Sequence, residues 1–200
     1  MSKHYPLATS SWADEELDAI KRLLSQDQFT MGSYVKKFED EFSEYIGSNY
    51  SVMVNSGSSA NLLAIAALFY TKNNPLKRGD EVIVPAVSWG TTYFPLQQFG
   101  LKVKFIDIDP ETLNIDIKIL KEAISEKTKL IVAVNLLGNP NQFDILNKLC
   151  QEHDMILFED NCESMGAKFS SKYAGTFGKL GTFSTYFSHH ISTIEGGLVV

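Results

Sequence analysis

Little in this chain suits a secreted, metal-stapled or nucleic-acid-binding protein. Only two cysteines, Cys150 and Cys162, occur in 200 residues, with neither metal-ligand spacing nor the small scaffold that a disulfide framework serves. Both read as buried thiols. Basic residues are outnumbered, 18 Lys and Arg against 24 Asp and Glu, for a net charge of −6. No Lys/Arg cluster supplies the footprint of phosphate-backbone binding, which argues against nucleic acid as a partner. Apolar runs such as Leu130–Val134 fall far short of the roughly 20 residues of a membrane span. Met1-Ser2-Lys3-His4-Tyr5-Pro6 lacks the apolar core of a secretory signal. These absences predict a cytoplasmic protein with no membrane attachment.

What is present can build one sizeable core: 44% of residues are hydrophobic and 12% aromatic, and the length fits one domain, two at most. Apolar residues at helical spacing predict amphipathic helices over Ala13–Leu24, after Ser10-Ser11, and over Tyr34–Ile46. From Tyr50 the texture changes to short apolar runs alternating with helical stretches. Strands are predicted at Ser51–Asn55, Glu81–Val84, Val103–Asp107, Lys129–Val134, Met155–Glu159 and Thr182–Phe187. Helices are predicted at Ser59–Tyr70, Thr91–Phe99, Ile117–Ile124, capped by Asp116, and Phe143–Glu152. Strands so separated pair in parallel through right-handed crossovers, giving an α/β fold with a mostly parallel central sheet. The stretch after Asp160, with Gly175, Gly178 and Gly181, reads as loop. Glu195–Val200 stops inside a predicted strand. Residues 1–200 thus read as an N-terminal segment and a large domain expected to continue past Val200.

Open parallel sheets bind ligands at the carboxyl ends of their strands, so the residues just after each strand carry the functional information. Ser56-Gly57-Ser58-Ser59 follows the first strand and opens a helix, where free amides and the helix dipole suit a phosphate. Alone it reads equally as an N-cap and tight turn. Trp89, after the second strand, offers a flat ring for stacking or an ordinary packing anchor. Asp160, at the end of a buried strand, demands a cation or a helical turn to cap; a protonated ring nitrogen is one such cation.

Phosphate loop, aromatic and carboxylate in that chain order, with Asp160-Asn161-Cys162-Glu163, Gly166-Ala167, Phe183-Ser184 and Glu195-Gly196-Gly197, resemble the DegT/DnrJ/EryC1/StrS sugar aminotransferases. These are fold-type-I pyridoxal-phosphate enzymes acting on nucleotide-linked keto sugars. The resemblance implies an α/β/α large domain, a homodimer, and a small C-terminal domain beyond these residues. It implies that Ser56, Gly57, Ser58 and Ser184 hold the cofactor phosphate, Trp89 stacks on the ring, and Asp160 pairs with its nitrogen. Glu163 stands where these enzymes usually have glutamine near the ring hydroxyl.

One position departs decisively. The family's Schiff-base lysine stands six residues before the glutamate of Glu195-Gly196-Gly197, and here that position is His189. Imidazole cannot form the stable linkage an amine forms with pyridoxal, so the cofactor is expected to be held noncovalently. Histidine can move protons near neutral pH. A shared metal site with His190 is disfavoured, since neighbours on a strand point to opposite faces. The lysine-to-histidine exchange resembles the family's nucleotide-sugar 3-dehydratases, above all those for a GDP-linked 4-keto-6-deoxy sugar of colitose formation. That resemblance implies pyridoxal 5′-phosphate and pyridoxamine 5′-phosphate as cofactor, L-glutamate as amino donor, and His189 as acid/base. Two alternatives remain open in the sequence: an iron–sulfur-dependent dehydrase for a CDP-linked sugar, and a non-catalytic cofactor-binding regulator.

Overall fold

Helix α1 (Asp14–Leu24) and helix α2 (Ser33–Ile46) precede a seven-stranded sheet in the computed structural model, which describes residue 10, residues 12–26 and residues 28–200. The Met1–Pro6 segment and Ser11 lie outside the described residues. The Ala13 amide, at the N-cap of α1, donates to Glu16 Oε2 at 2.7 Å. The sheet comprises β1 (Val52–Val54), β2 (Glu81–Pro85), β3 (Lys102–Ile106), β4 (Thr128–Val134), β5 (Ile156–Asp160), β8 (Leu180–Ser184) and β9 (Gly197–Val199), in the spatial order β1-β9-β8-β5-β4-β2-β3. The pairs β3/β2, β2/β4, β4/β5 and β5/β8 are parallel. Strand β9 runs antiparallel to both neighbours, β1 and β8.

Two helical layers cover this sheet. On one face α3 (Gly57–Leu68) and α4 (Gly90–Gln98) bury Ala60, Ala64, Ile65, Leu68 and Leu96 against Val82, Val84, Val132 and Phe158. On the other, α5 (Ile117–Ala123) and α6 (Phe143–Glu152) meet Ile83, Ile131, Ala133 and Leu157. The alternation along β4 and β5 between these clusters is the period-2 pleat of strands buried on both faces. Helix α2 lays Phe42 and Ile46 on Phe183 and Leu198. Each fully buried phenylalanine contributes ~1.5–3 kcal/mol, and truncating Phe158 to alanine would cost ~3–5 kcal/mol.

The predicted helices are all found, with ends displaced by a residue or two; Asp116 Oδ1 caps α5 through the amides of Lys118 and Ile119. Three expectations need correction. The strand predicted over Thr182–Phe187 ends at Ser184: the Thr185 amide still donates to the Gly196 carbonyl in register with β9, but the Thr185 carbonyl accepts the Thr193 amide and the ladder stops there. His189 and His190 therefore lie in a turn-rich connection, not on a strand, and the strand argument against a shared metal does not apply to them. The stretch read as loop after Asp160 contains a two-stranded antiparallel ribbon, β6 (Lys168–Phe169) and β7 (Lys172–Tyr173). Among the described residues no helix is long and apolar enough to cross a membrane.

Candidate active site

Register places the carboxyl ends of three strands in line, with Val134 opposite Asp160 and Asp160 opposite Thr182. A cavity of about 530 Å³ opens at that edge, within the range of small-molecule sites. It gathers all eight residues singled out in the sequence: Ser56, Gly57, Ser58, Trp89, Asp160, Glu163, Ser184 and His189.

The start of α3 forms an anion cup. Ser56 is its N-cap, and its hydroxyl accepts the Ser59 amide at 3.1 Å while its carbonyl accepts the Ala60 amide at 2.9 Å. The amides of Gly57 and Ser58, in the first turn, have no intrahelical acceptor and point with the positive end of the helix dipole. Ser184, at the end of β8, approaches so closely that a Cβ on Gly57 would lie 2.7 Å from the Ser184 Cβ. Glycine is needed here for space. Gly57, Ser58 and Ser184 thus share one stretch of the cavity wall.

Asp160 is the cavity's buried anion, 5% exposed. Its Oδ2 accepts the Asn61 amide at 2.9 Å and the Thr92 hydroxyl at 2.8 Å, and its Oδ1 accepts the Cys162 backbone amide at 3.1 Å. Thr92 gives its only hydroxyl proton to Asp160, so Ser88 donates to Thr92 across 2.8 Å. Every contact is a donor suited to an ionised carboxylate, and among the described residues no Lys or Arg forms an ion pair with it. A buried carboxylate with no protein cation beside it favours a cationic ligand. A protonated pyridine nitrogen is such a cation, and the cup could hold a phosphate, so the residues present fit pyridoxal phosphate. Asn61 and Thr92 were not legible as site residues from the sequence.

Trp89 occupies the N-cap position of α4, is 73% exposed and has its ring at the cavity wall. Glu163 is fixed by its Oε2, which accepts the Leu137 amide at 3.1 Å. Leu137 has φ 52° within a short 3₁₀ turn, Leu136–Gly138. That turn is anchored below by Asn135, whose Oδ1 accepts the Asn141 amide at 2.9 Å and whose Nδ2 donates to Asn161. His189 is half-buried, its backbone amide donating to the Tyr186 carbonyl at 2.9 Å. Burial holds the imidazole below its ordinary pKa; Glu163 and Asp160 oppose that shift, and His190 adds to it.

The two cysteines lie on opposite sides of the sheet. Cys150 belongs to the α6 cluster and Cys162 Sγ abuts Gly57 at the start of α3. Burial, reinforced by Asp160 and Glu163, pushes the Cys162 thiol well above its ordinary value.

A parallel sheet with one antiparallel strand next to its edge, with an anion cup and a buried carboxylate at the strand ends, defines the cofactor-binding part of a fold-type-I pyridoxal-phosphate protein. Comparison with known proteins narrows the class. The chain belongs to the DegT/DnrJ/EryC1/StrS aminotransferase family, which it matches over residues 10–200. It is 63% identical over 197 residues to GDP-4-keto-6-deoxy-D-mannose 3-dehydratase of Yersinia pseudotuberculosis, covering 98% of this chain and 50% of that one. The E. coli GDP-4-keto-6-deoxy-D-mannose-3-dehydratase with bound hydrated PLP superposes with a TM-score of 0.95 at 63% identity, covering 98% of this chain and 51% of that one. A GDP-4-keto-6-deoxymannose-3-dehydratase with a trapped PLP-glutamate geminal diamine does so with the same score at 62% identity and the same coverage. The chain spans about half the length of the curated relatives it matches.

Proposed function

We propose that this protein is a cytoplasmic, glutamate-dependent 3-dehydratase that removes the C3 hydroxyl of GDP-4-keto-6-deoxy-D-mannose, giving the 3-deoxy-4-keto sugar on the route to colitose. The observation that carries the reading is the imidazole of His189 in the wall of the cavity that also gathers Ser56, Gly57, Ser58, Trp89, Asp160 and Ser184, at the position where the family's aminotransferases keep an amine. Pyridoxamine phosphate, formed from pyridoxal phosphate and L-glutamate, would supply an amine to the C4 ketone and a ring that accepts electrons.

The chain's own residues then divide the work. The amides of Gly57 and Ser58 and the Ser184 hydroxyl hold the phosphate, with Ser56 shaping the turn. Trp89 stacks on the ring, and Asp160 keeps a proton on its nitrogen so that it draws electrons. Glu163 sits beside the ring hydroxyl. His189 takes a proton from the cofactor's C4′ carbon and returns one to the departing C3 oxygen, which leaves as water. With no amine on residue 189 to reclaim the cofactor, the nitrogen is lost as ammonia when water releases the product. The family resemblance further implies a homodimer.

Complete protein supplied with pyridoxal phosphate, glutamate and the GDP-linked sugar should release ammonia and the 3-deoxy product. The His189→Asn variant should lose at least about 10²-fold in elimination, the ordinary contribution of a positioned acid/base, while binding cofactor normally. Undiminished dehydration by that variant would remove His189 from the reaction.

A further inference from the structure

Asn61 stands in α3 one helical turn beyond Gly57, on the same face as the anion cup, and is 1% exposed. Its side chain bridges two strands. Nδ2 donates to Asp160 Oδ2 on β5 at 2.9 Å, and Oδ1 accepts the Thr182 hydroxyl on β8 at 2.6 Å. The proton direction along this chain is fixed, because an amide oxygen can only accept and an amide nitrogen can only donate; the Thr182 hydroxyl also lies 3.3 Å from the Glu159 carbonyl, the longer of its two contacts. Both links point toward Asp160 as an anion and strengthen one another in a buried setting.

The neighbours of Asn61 show what an ordinary residue does in this layer. Ala60, Ala64, Ile65 and Leu68 pack α3 on the sheet through apolar contact alone. An amide among them costs desolvation unless both its ends are bonded, and the side-chain hydrogen bond its nitrogen donates goes to Asp160. Thr92 fills the other site on Oδ2 from α4. With Oδ2 held from two helices and Oδ1 by the Cys162 amide, the carboxylate cannot rotate, and one lone pair on Oδ1 is left over.

We propose that Asn61 is a positioning residue for the cofactor's ring nitrogen: α3 sets the phosphate subsite with its first amides and the nitrogen partner with Asn61, so a single rigid helix gauges both ends of pyridoxal phosphate. The proposal rests on the assignment of Asp160 as the ring-nitrogen partner. It adds a residue whose partner is 99 positions away in sequence and which stands in the cavity wall beside that partner.

The test uses the complete protein, titrated with pyridoxamine phosphate and followed by the absorbance of the bound cofactor against pH. Asn61→Leu should lower the pH at which the bound ring nitrogen loses its proton and weaken pyridoxamine phosphate binding about tenfold, ~1.4 kcal/mol. The double variant Asn61→Leu/Thr182→Val removes both buried partners together and should recover most of any lost thermal stability. It should not recover the absorbance or the affinity. Recovery of all three would make Asn61 merely structural and overturn the proposal, as would an Asn61→Leu variant with wild-type absorbance and affinity. Asp160→Asn, run in parallel, separates the two readings: if it moves the absorbance and Asn61→Leu does not, only the role of Asn61 fails, whereas an unmoved Asp160→Asn overturns the assignment of Asp160 and the proposal with it.

Discussion

Replacing Gly57 with alanine sets helix propensity against steric fit. Alanine in place of glycine favours a helix by up to ~1 kcal/mol. At this position, however, the added Cβ would lie 2.7 Å from the Ser184 Cβ, 2.8 Å from Cys162 Sγ and 3.1 Å from Ser184 Oγ. The sulfur can swing about its own side-chain torsion. The Ser184 Cβ cannot, because it is one bond from a strand held in register opposite Gly197. Relief must come from sliding the start of α3 away from β8. Overpacking of this kind costs ~1–3 kcal/mol and exceeds the propensity gain, so the net loss of stability should be about 1–2 kcal/mol. The displacement also separates the Gly57 and Ser58 amides from the Ser184 hydroxyl. Losing one charge-assisted hydrogen bond to phosphate, ~1.5–3 kcal/mol, should weaken cofactor binding by about 10- to 100-fold. Urea unfolding should show a lower midpoint at unchanged slope, and quenching of tryptophan fluorescence by pyridoxamine phosphate should report the affinity. An unchanged midpoint together with unchanged affinity would refute the close-approach argument.

Two further outcomes follow from the charges around the cavity. Burial holds His189 below the ordinary imidazole value, so it should be neutral and able to accept a proton at pH 7, with the acid limb of the kcat/KM profile below pH ~6.5. Glu163 opposes that lowering, so Glu163→Gln should move the acid limb to still lower pH; movement upward would show that Glu163 does not act on His189. The thiols should resist alkylation, since burial pushes Cys150 up to about 12 and Cys162 well above its ordinary value, leaving little thiolate at pH 8. Cys150 is buried, whereas Cys162, read from the sequence as buried, is half-buried in the cavity wall; mass spectrometry after iodoacetamide treatment should show both unmodified in the native protein and modified in urea, and rapid stoichiometric labelling of native Cys162 would contradict the suppression of its thiolate.

Much of this site was legible because an α/β sheet puts its chemistry at strand ends, and strand ends can be read from apolar runs that stop. Ser56-Gly57-Ser58 and Asp160 were found in that way. Asn61 and Thr92 were not, because a single polar residue inside a helix carries no periodic signal, and Asn61 acquires its meaning only when Asp160 folds against it. The connection after β8 misled for a different reason. Tyr186 and Phe187 extend the apolar run of the strand, yet the Thr185 amide bonds to the Gly196 carbonyl and the Thr185 and Thr193 hydroxyls meet at 2.7 Å. Those bonds close a loop whose partners lie eight and eleven residues downstream, beyond the reach of a local pattern.

That loop explains why residue 189 matters. Its first end follows Ser184, which touches Gly57 at the start of α3, and its second end enters β9 at Gly197, where an added Cβ would collide with the Ser56 carbonyl. Both ends are thus pinned against the same turn. The antiparallel return of β9 beside β8 makes the connection double back over the cavity instead of crossing the sheet, and His189 lies near its middle. Whatever side chain occupies position 189 is delivered to the cavity by contacts that do not involve that side chain. Under the proposed function, an amine delivered there would hold the cofactor and return nitrogen to the product. An imidazole delivered by the same contacts can only move protons, so elimination replaces amination without any change in the cup, the stacking ring or the carboxylate.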